Sequence, residues 1–542
     1  MSKRRIFKYS TLALILIWGF FKLLPEREET AVNSDQEAPS PAKRDVKHVI
    51  KFAPGNQYTP GVSLFGMSEP LEGLTKVIRK YEERHPDTRI EVFNVPTVQR
   101  EYLVTQLSSG AAPDIVKVNV EDVWVDVHKN WYVPLDTFLE QPNPYVVEKG
   151  DPDLPGARQW WDMFRYQALT RGKAGPDGKY YCYTLDAVET GIFYNKTLFG
   201  RLGLEVPQTM TEFFYVAETI KKNGYIPLIA VLQSYADWGV DLIFDQLYYE
   251  LLPGIDLVKD PTREAYLQGY LDSEEIAFLH SKGFFTKEDP RFLEKWRLLK
   301  QLRQYLAQEM NVRSGQERQF INQQAAMVWL PSTLTYRLVA DKNLGFEWGV
   351  FYFPMVDEAV SEMASNTPAC VVGGAATQFE VTNSAVSDTD PSLPFEERML
   401  QSERLKRVIG FLQFLSLPEN AELVTNENPR FIPNIVGVEP LPELEPFEKI
   451  LERRYTTTKW LNTFDLRFFD VLQRMFALYL EDGATLEELV SWMDDNISAS
   501  SELFENRKGI DWESLEKRWQ ELAPAREGMT FLPKPLQENP AL

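Results

Sequence analysis

The sequence predicts an α/β fold built on parallel strands with crossover helices, and two observations predict it. Between His48 and Val118 short apolar runs alternate with amphipathic helical patterns, in the order strand, helix, strand, helix, strand, at a pitch that suits parallel neighbours joined by helices. The composition, 44% hydrophobic and 25% charged over 542 residues, is that of a globular chain, neither disordered nor repeatedly membrane-spanning. Ligands in such sheets bind at the carboxyl ends of the strands. Average domain sizes would divide this length into three or four domains.

Each element has a local reason. Residues 48–52 (HVIKF) form a short apolar strand. Leu71, Leu74, Val77, Ile78 and Tyr81 then recur at helical spacing until Pro86 stops the helix. Residues 89–95 make a second strand, 100–109 a helix closed by Gly110, and 114–118 a third strand. Further on, 183–186 lead into the strand 191–195, a helical turn over 196–202 ends at Gly203, and Pro207 and Thr209 open a helix through Lys222. Glu212 stands where a capping box needs it. After the apolar strand 227–231, residues 244–317 are mostly helical, with Leu, Ile, Trp and Tyr at threes and fours. Most of those aromatics belong to a core.

Lys3, Arg4, Arg5 and Lys8 precede an apolar run over 11–21 that continues past Lys22 into Leu23 and Leu24. A basic flank before a short apolar segment is a secretory pattern, so 1–24 read as a signal or anchor and 25–47 as a polar linker. No cysteine follows the run to carry a lipid, and no small-x-small cleavage site sits close behind it. An uncleaved anchor, with Lys22 snorkelling, is preferred over a cleaved signal. Either one places the rest outside the cytoplasm.

The charge balance, 58 Lys and Arg against 79 Asp and Glu for a net −21, repels a phosphate backbone, so no nucleic-acid partner is expected. With four histidines, two cysteines and no His-x-x-x-His or Cys-x-x-Cys spacing, neither a metal nor a cofactor is expected. Whether Cys182 and Cys370 pair is open at this point. Neither Gly-x-Ser-x-Gly nor His-Glu-x-x-His occurs, and among 79 carboxylates an acid pair such as Glu82-Glu83 arises by chance. The chain is expected not to be an enzyme.

Nine short features then occur in a telling order. They begin with Tyr81-Glu82-Glu83-Arg84-His85-Pro86, Leu107-Ser108-Ser109-Gly110-Ala111-Ala112-Pro113-Asp114-Ile115-Val116 and Trp131-Tyr132-Val133-Pro134-Leu135-Asp136. Phe193-Tyr194-Asn195-Lys196-Thr197-Leu198-Phe199, Gly203-Leu204 with Pro207-Gln208-Thr209, Ala325-Ala326-Met327 and Phe353-Pro354 follow. The apolar stretch 408–418 and Asn434 to Gly437 after Pro433 complete the set. From about residue 52 to 496 the chain resembles extracellular solute-binding protein family 1, the sugar-binding proteins of ABC importers similar to maltose-binding protein.

The resemblance implies a two-lobed periplasmic-binding-protein type II fold in which three chain crossings form a hinge and the ligand is clamped between the lobes. It assigns 48–185 plus 352–433 to lobe one and 186–350 plus 434–496 to lobe two. Hinges are expected at 186–190 and 348–352, and a C-terminal extension, 497–542, wraps the outside. The length then belongs to one receptor enlarged by helical insertions over 138–178 and 251–294.

A sugar site needs aromatic platforms beside carboxylates or amides. The resemblance places Trp124 where relatives have a cleft residue, though it could equally pack, and Asp126 follows nearby. Asp186 and Glu189 flank the first hinge, as hydroxyl acceptors or as hinge-fixing carboxylates. Tyr235 and Trp238 follow the strand 227–231, and at least one of them is expected in the cleft. Relatives carry a Gly-x-Trp platform where this chain has Pro331-Ser332-Thr333, a loss that Tyr336 or Trp329 could make good. Phe468 and Phe469 fall near another aromatic of the relatives, or in the core. Gly373-Gly374-Ala375-Ala376 lacks the aromatic that relatives have after paired glycines.

The expected function is therefore that of an extracytoplasmic receptor binding a small solute, a carbohydrate and in the first place an oligosaccharide, for the transmembrane subunits of an ABC permease. The N-terminal segment would meet the membrane. The alternative is a membrane-tethered sugar sensor serving a signalling partner.

Overall fold

The computed structural model describes residues 46–539 except 65–68, 95–99, 120–121, 124–125, 166–176, 258–270, 272, 309, 311–314, 316, 371–372 and 452–465. The expected anchor and most of the linker lie outside the described residues. No described helix is long and apolar enough to cross a membrane.

Two sheets organise the chain. The first contains β1 (His48–Ala53), β2 (Thr88–Val92), β3 (Ile115–Lys117), β4 (Cys182–Tyr183) and, much later in the sequence, β10 (Phe379–Val381), in the order β2-β1-β3-β10-β4. The strands β1, β2 and β3 run parallel, joined by the helices Gly73–Arg84 and Arg100–Ser108, while β10 is antiparallel to both of its neighbours. The parallel half follows from the sequence pattern, because Ile50 and Phe52 of β1 point into a core that Leu74, Val77 and Tyr81 of the first helix cover.

The second sheet is built around β5 (Asp186–Asn195), a ten-residue strand. Its far half pairs with β7 (Ala325–Pro331) and β8 (Trp348–Phe351), and β7 pairs in parallel with β6 (Ile226–Ile229). Its first residues pair instead with β9 (Gly373–Ala375) and β11 (Ile432–Pro433). One strand thus carries both the second lobe's sheet and the junction with the first lobe.

The lobe boundaries expected from the sequence need correction in two places. Residues 348–352 do not form a hinge: β8 pairs with Ile192 to Asn195, deep in lobe two, and Phe353, Val356, Ala364 and Cys370 continue in the second core. The chain leaves lobe two only after β9, where Ala375 pairs with Ala187. Nor does the C-terminal extension merely wrap the outside, since Leu515, Trp519, Leu532 and Leu536 are buried in that same core. Arg526 lies over Trp519, its guanidinium carbon 3.4 Å from the ring centroid, and donates to the carbonyls of Gly254 and Trp519.

Local signals are realised where their partners are close in sequence. Thr209 and Glu212 form the capping box of the helix Met210–Lys222, Asn195 caps the helix Lys196–Leu202, and Gly203 closes that helix at φ +64°. Cys182 and Cys370 are both free thiols, buried in different places.

Candidate hinge and cleft

The junction is held by a buried polar network drawn from all three crossings. Asp186 opens β5, Thr377 follows β9, Arg430 precedes β11, and Tyr58 comes from the connection after β1. Tyr58 donates its hydroxyl to Asp186 Oδ2 at 2.7 Å, Thr377 donates its amide to Asp186 Oδ1 at 2.8 Å, and the Thr377 hydroxyl lies against Asp186 Oδ1 as well as 2.8 Å from Tyr58 Oη. Arg430 lies over the Tyr58 ring at 5.8 Å and donates Nη1 to Gln57 O at 2.9 Å. Burial pushes the Asp186 carboxyl above its ordinary value, against the hydrogen bonds from Thr377 and Tyr58; burial also lowers Arg430 and, with Asp186 beside it, raises Tyr58. The oxygens of Asp186 are therefore occupied by the protein, and the geometry is that of the hinge-fixing carboxylate rather than of a ligand acceptor.

Glu189, three residues along β5, is fully buried too. Its Oε1 accepts the Thr190 amide at 2.8 Å, and its backbone carbonyl accepts the Ser332 amide at 2.7 Å. The paired glycines find their reason here. A side chain at Gly373 would press on the Glu189 carboxylate and come within 2.5 Å of Val188 O, whereas one at Gly374 would meet nothing within 4 Å.

In lobe two, the segment after β6 turns through the helical residues Leu232–Ser234 into a single π-helical turn, Tyr235–Gly239. Such turns re-aim side chains and recur at functional sites. The turn sends its two aromatics in opposite senses. Tyr235 is buried, stacks on Phe476 at 5.6 Å and donates to Leu299 O, so it belongs to the core and not to the cleft. Trp238 is half-buried and meets Trp329 edge to face at 5.9 Å; Trp329 is itself buried against Phe353 at 5.4 Å. Trp238 thus stands at a strand's carboxyl end with rigid aromatic backing.

The remaining expected contacts scatter. Asp126 is buried, and Lys129 Nζ is 2.9 Å from its carboxylate. Tyr336 is buried with Leu64 and Leu71. Phe469 falls in the helix Leu466–Leu480, but its side chain lies outside the described residues, as does Trp124 altogether. Among the described residues no group of three His, Cys, Asp or Glu side chains could hold a metal ion. Two separate sheets, with the chain's crossings locked together at the start of β5, make a two-lobed body with a hinge.

Residues 67–378 match the family described as bacterial extracellular solute-binding protein. The chain belongs to that family. A multiple sugar-binding protein of Streptococcus mutans is 26% identical over 172 residues, which are 31% of this chain and 35% of that relative, so the match spans about a third of the relative's length. The apo form of RafE from Streptococcus pneumoniae superposes with a TM-score of 0.54 at 17% identity, covering 86% of this chain and 100% of that one. An ABC substrate-binding protein of Listeria monocytogenes, solved in complex with cycloalternan, gives 0.52 at 18% identity over 84% and 99%. At these identities the two structures establish the shared two-lobed fold.

Several family-like motifs now have a physical role. Ala111 to Asp114 ends in a carboxylate that Arg404 grips with two nitrogens and to which Lys51 donates its amide at 2.7 Å. Phe353 of the Phe353-Pro354 pair backs Trp329. Sequence reasoning missed Tyr58, Thr377 and Arg430, which complete the hinge with Asp186. Nothing local singles them out, since Tyr58 and Thr377 stand 319 residues apart.

Proposed function

We propose that this protein is an extracytoplasmic solute receptor of an ABC importer that binds a carbohydrate between its lobes and presents it to the permease's transmembrane subunits. The observation that carries the reading is Trp238, an aromatic face left half-open at the carboxyl end of β6 in a body whose lobes meet at the start of β5. A ring of this kind stacks on the apolar face of a sugar, and polar neighbours such as Gln233 and Asp237 supply hydroxyl partners. The partial match to a multiple sugar-binding protein and the fold shared with a receptor solved with cycloalternan support a saccharide over other polar solutes. Ligand binding then works by favouring the closed arrangement of the lobes. Residues 1–24 tether the receptor or direct its export. The buried hinge carboxylates Asp186 and Glu189 accept hydrogen bonds from the protein itself.

Calorimetry of the purified protein against a panel of oligosaccharides tests the reading. At least one saccharide should bind, and Trp238→Ala should weaken it about tenfold, the equivalent of ~1.4 kcal/mol. A peptide or polyamine that binds where no saccharide does would overturn the carbohydrate assignment while leaving the receptor.

A further inference from the structure

The carboxyl ends of the parallel strands in both lobes lie towards the junction. In lobe one, β4 runs parallel to β3, since both are antiparallel to β10, and only Thr184 and Leu185 separate its end at Tyr183 from Asp186 at the start of β5. Tyr58, in the connection after β1, reaches the same Asp186. In lobe two, Pro331 ends β7 and pairs with Thr190 near that start, and β6 runs parallel to β7 towards Trp238.

Lys117 is the last residue of β3, at this end of the lobe-one sheet. Its methylenes lie across Gly55 in the turn after β1: a side chain on Gly55 would come 2.8 Å from Lys117 Cδ, and the φ of +74° there favours glycine as well. The turn is fixed, because Gly55 O accepts the amides of Tyr58 and Thr59 at 3.0 Å and the Thr59 hydroxyl at 2.8 Å. The stem of the lysine is thus held against the turn that delivers Tyr58 to the hinge. Its ammonium is left over. Carboxylates outnumber cations in this chain, 79 to 58, yet half-buried Lys117 makes no ion pair and no side-chain hydrogen bond among the described residues. Phe93, 39% exposed straight after β2, adds an aromatic ring at the same end of the sheet.

When a ligand fills the space at these strand ends, water leaves and the lysine charge needs a partner. A sugar hydroxyl is neutral and offsets part of the lost hydration, whereas an anionic oxygen offsets more through a charge-assisted hydrogen bond. We propose that the ligand is an anionic saccharide, bearing a uronate carboxylate or an ester sulfate, and that Lys117 receives the anionic group from lobe one while Trp238 takes a sugar face from lobe two. Gly55 belongs to the same device, since any side chain there displaces the lysine stem. The proposal rests on the carbohydrate reading above and narrows it to a class.

The test is calorimetry of the full chain in detergent against matched pairs of short oligosaccharides: galacturonate, glucuronate and mannuronate oligomers, each beside its carboxyl-reduced neutral form, and a sulfated galactose oligomer beside the unsulfated one. At least one acidic member should bind about tenfold more tightly than its neutral partner, and which pair shows it separates carboxylate from sulfate. Lys117→Met should bring the two affinities of that pair together, and Lys117→Arg should keep them apart. Should Lys117→Met fail to fold, Lys117→Gln is measured in its place under the same criteria. A neutral member that binds as tightly as its acidic partner overturns the proposal and leaves the carbohydrate receptor standing. An acid preference that survives in folded Lys117→Met overturns the assignment to Lys117. If no saccharide binds, acidic or neutral, the carbohydrate reading falls and the proposal falls with it.

Discussion

Arg404 grips Asp114 with two nitrogens: Nε lies 2.7 Å from Oδ1 and Nη2 2.7 Å from Oδ2. The carboxylate is fully buried at the entry to β3, and the arginine reaches it from the helix Glu403–Leu415, 290 residues further along the chain. The pair joins the early strands of lobe one to the segment that returns after lobe two.

Removing the arginine leaves that carboxylate buried with its charge uncompensated. Arg404→Ala should lower unfolding stability by about 3–5 kcal/mol. Urea denaturation measures this, and the saccharide affinity of the folded fraction should not change, because the pair stands at the amino end of β3 and ligands in such sheets bind at carboxyl ends.

The two hinge glycines should separate cleanly. Gly373→Ala forces a methyl group against Val188 O and the Glu189 carboxylate, so it should cost about 1–3 kcal/mol. Gly374→Ala faces open space and should be tolerated. Equal melting temperatures for the two variants would refute this account of the paired glycines.

Lys295 is buried against the rings of Phe292 and Trp296, and desolvation pushes its ammonium down to about 7, against the pull of Asp241 and Asp289. Between that value and the ordinary lysine value of 10.5 the unfolded chain binds more protons than the folded one, so stability rises with pH across this window. Wild-type protein should therefore become more resistant to urea between about pH 7 and pH 9. Lys295→Met should lose that part of the slope.

Cys182 and Cys370, both buried, should resist a thiol reagent in the native protein and react together in denaturant. Reductant should leave the melting temperature unchanged. One thiol reacting at native speed would mean that its part of the core opens locally.

Much of the scaffold was legible because its causes are local. Thr209 finds Glu212 three residues away, Asn195 caps the amide of Leu198, and the apolar spacing from Leu74 to Tyr81 shows which face of its helix is buried. Boundaries shifted by one to three residues at strand ends, as β2 and β3 show. The second hinge was misplaced by more than twenty residues. The run around Trp348 looks like any short strand, and only its pairing with Ile192 to Asn195 shows that it belongs wholly to lobe two.

The candidate site was legible as residue types and not as arrangement. Tyr235 and Trp238 stand three apart after the same strand, and one spacing rule suggests both for the cleft. A π-helical turn buries the first and leaves the second half-open, and that turn is decided by packing against Phe476 and Trp329. Asp186 was singled out as a hinge carboxylate or ligand acceptor, and the choice rests on Tyr58 and Thr377, 128 and 191 residues away.

By itself, then, the sequence determined the α/β class, the parallel strands of lobe one, the helix caps and the family, all written in short-range spacing or in the order of motifs along the chain. Tertiary structure alone decided which carboxylates are occupied, where the chain crosses between lobes, and that Tyr336 joins Leu64 and Leu71. The physical reason is that burial and hydrogen-bond occupancy belong to groups brought together from distant parts of the chain, and no local pattern records which groups those are.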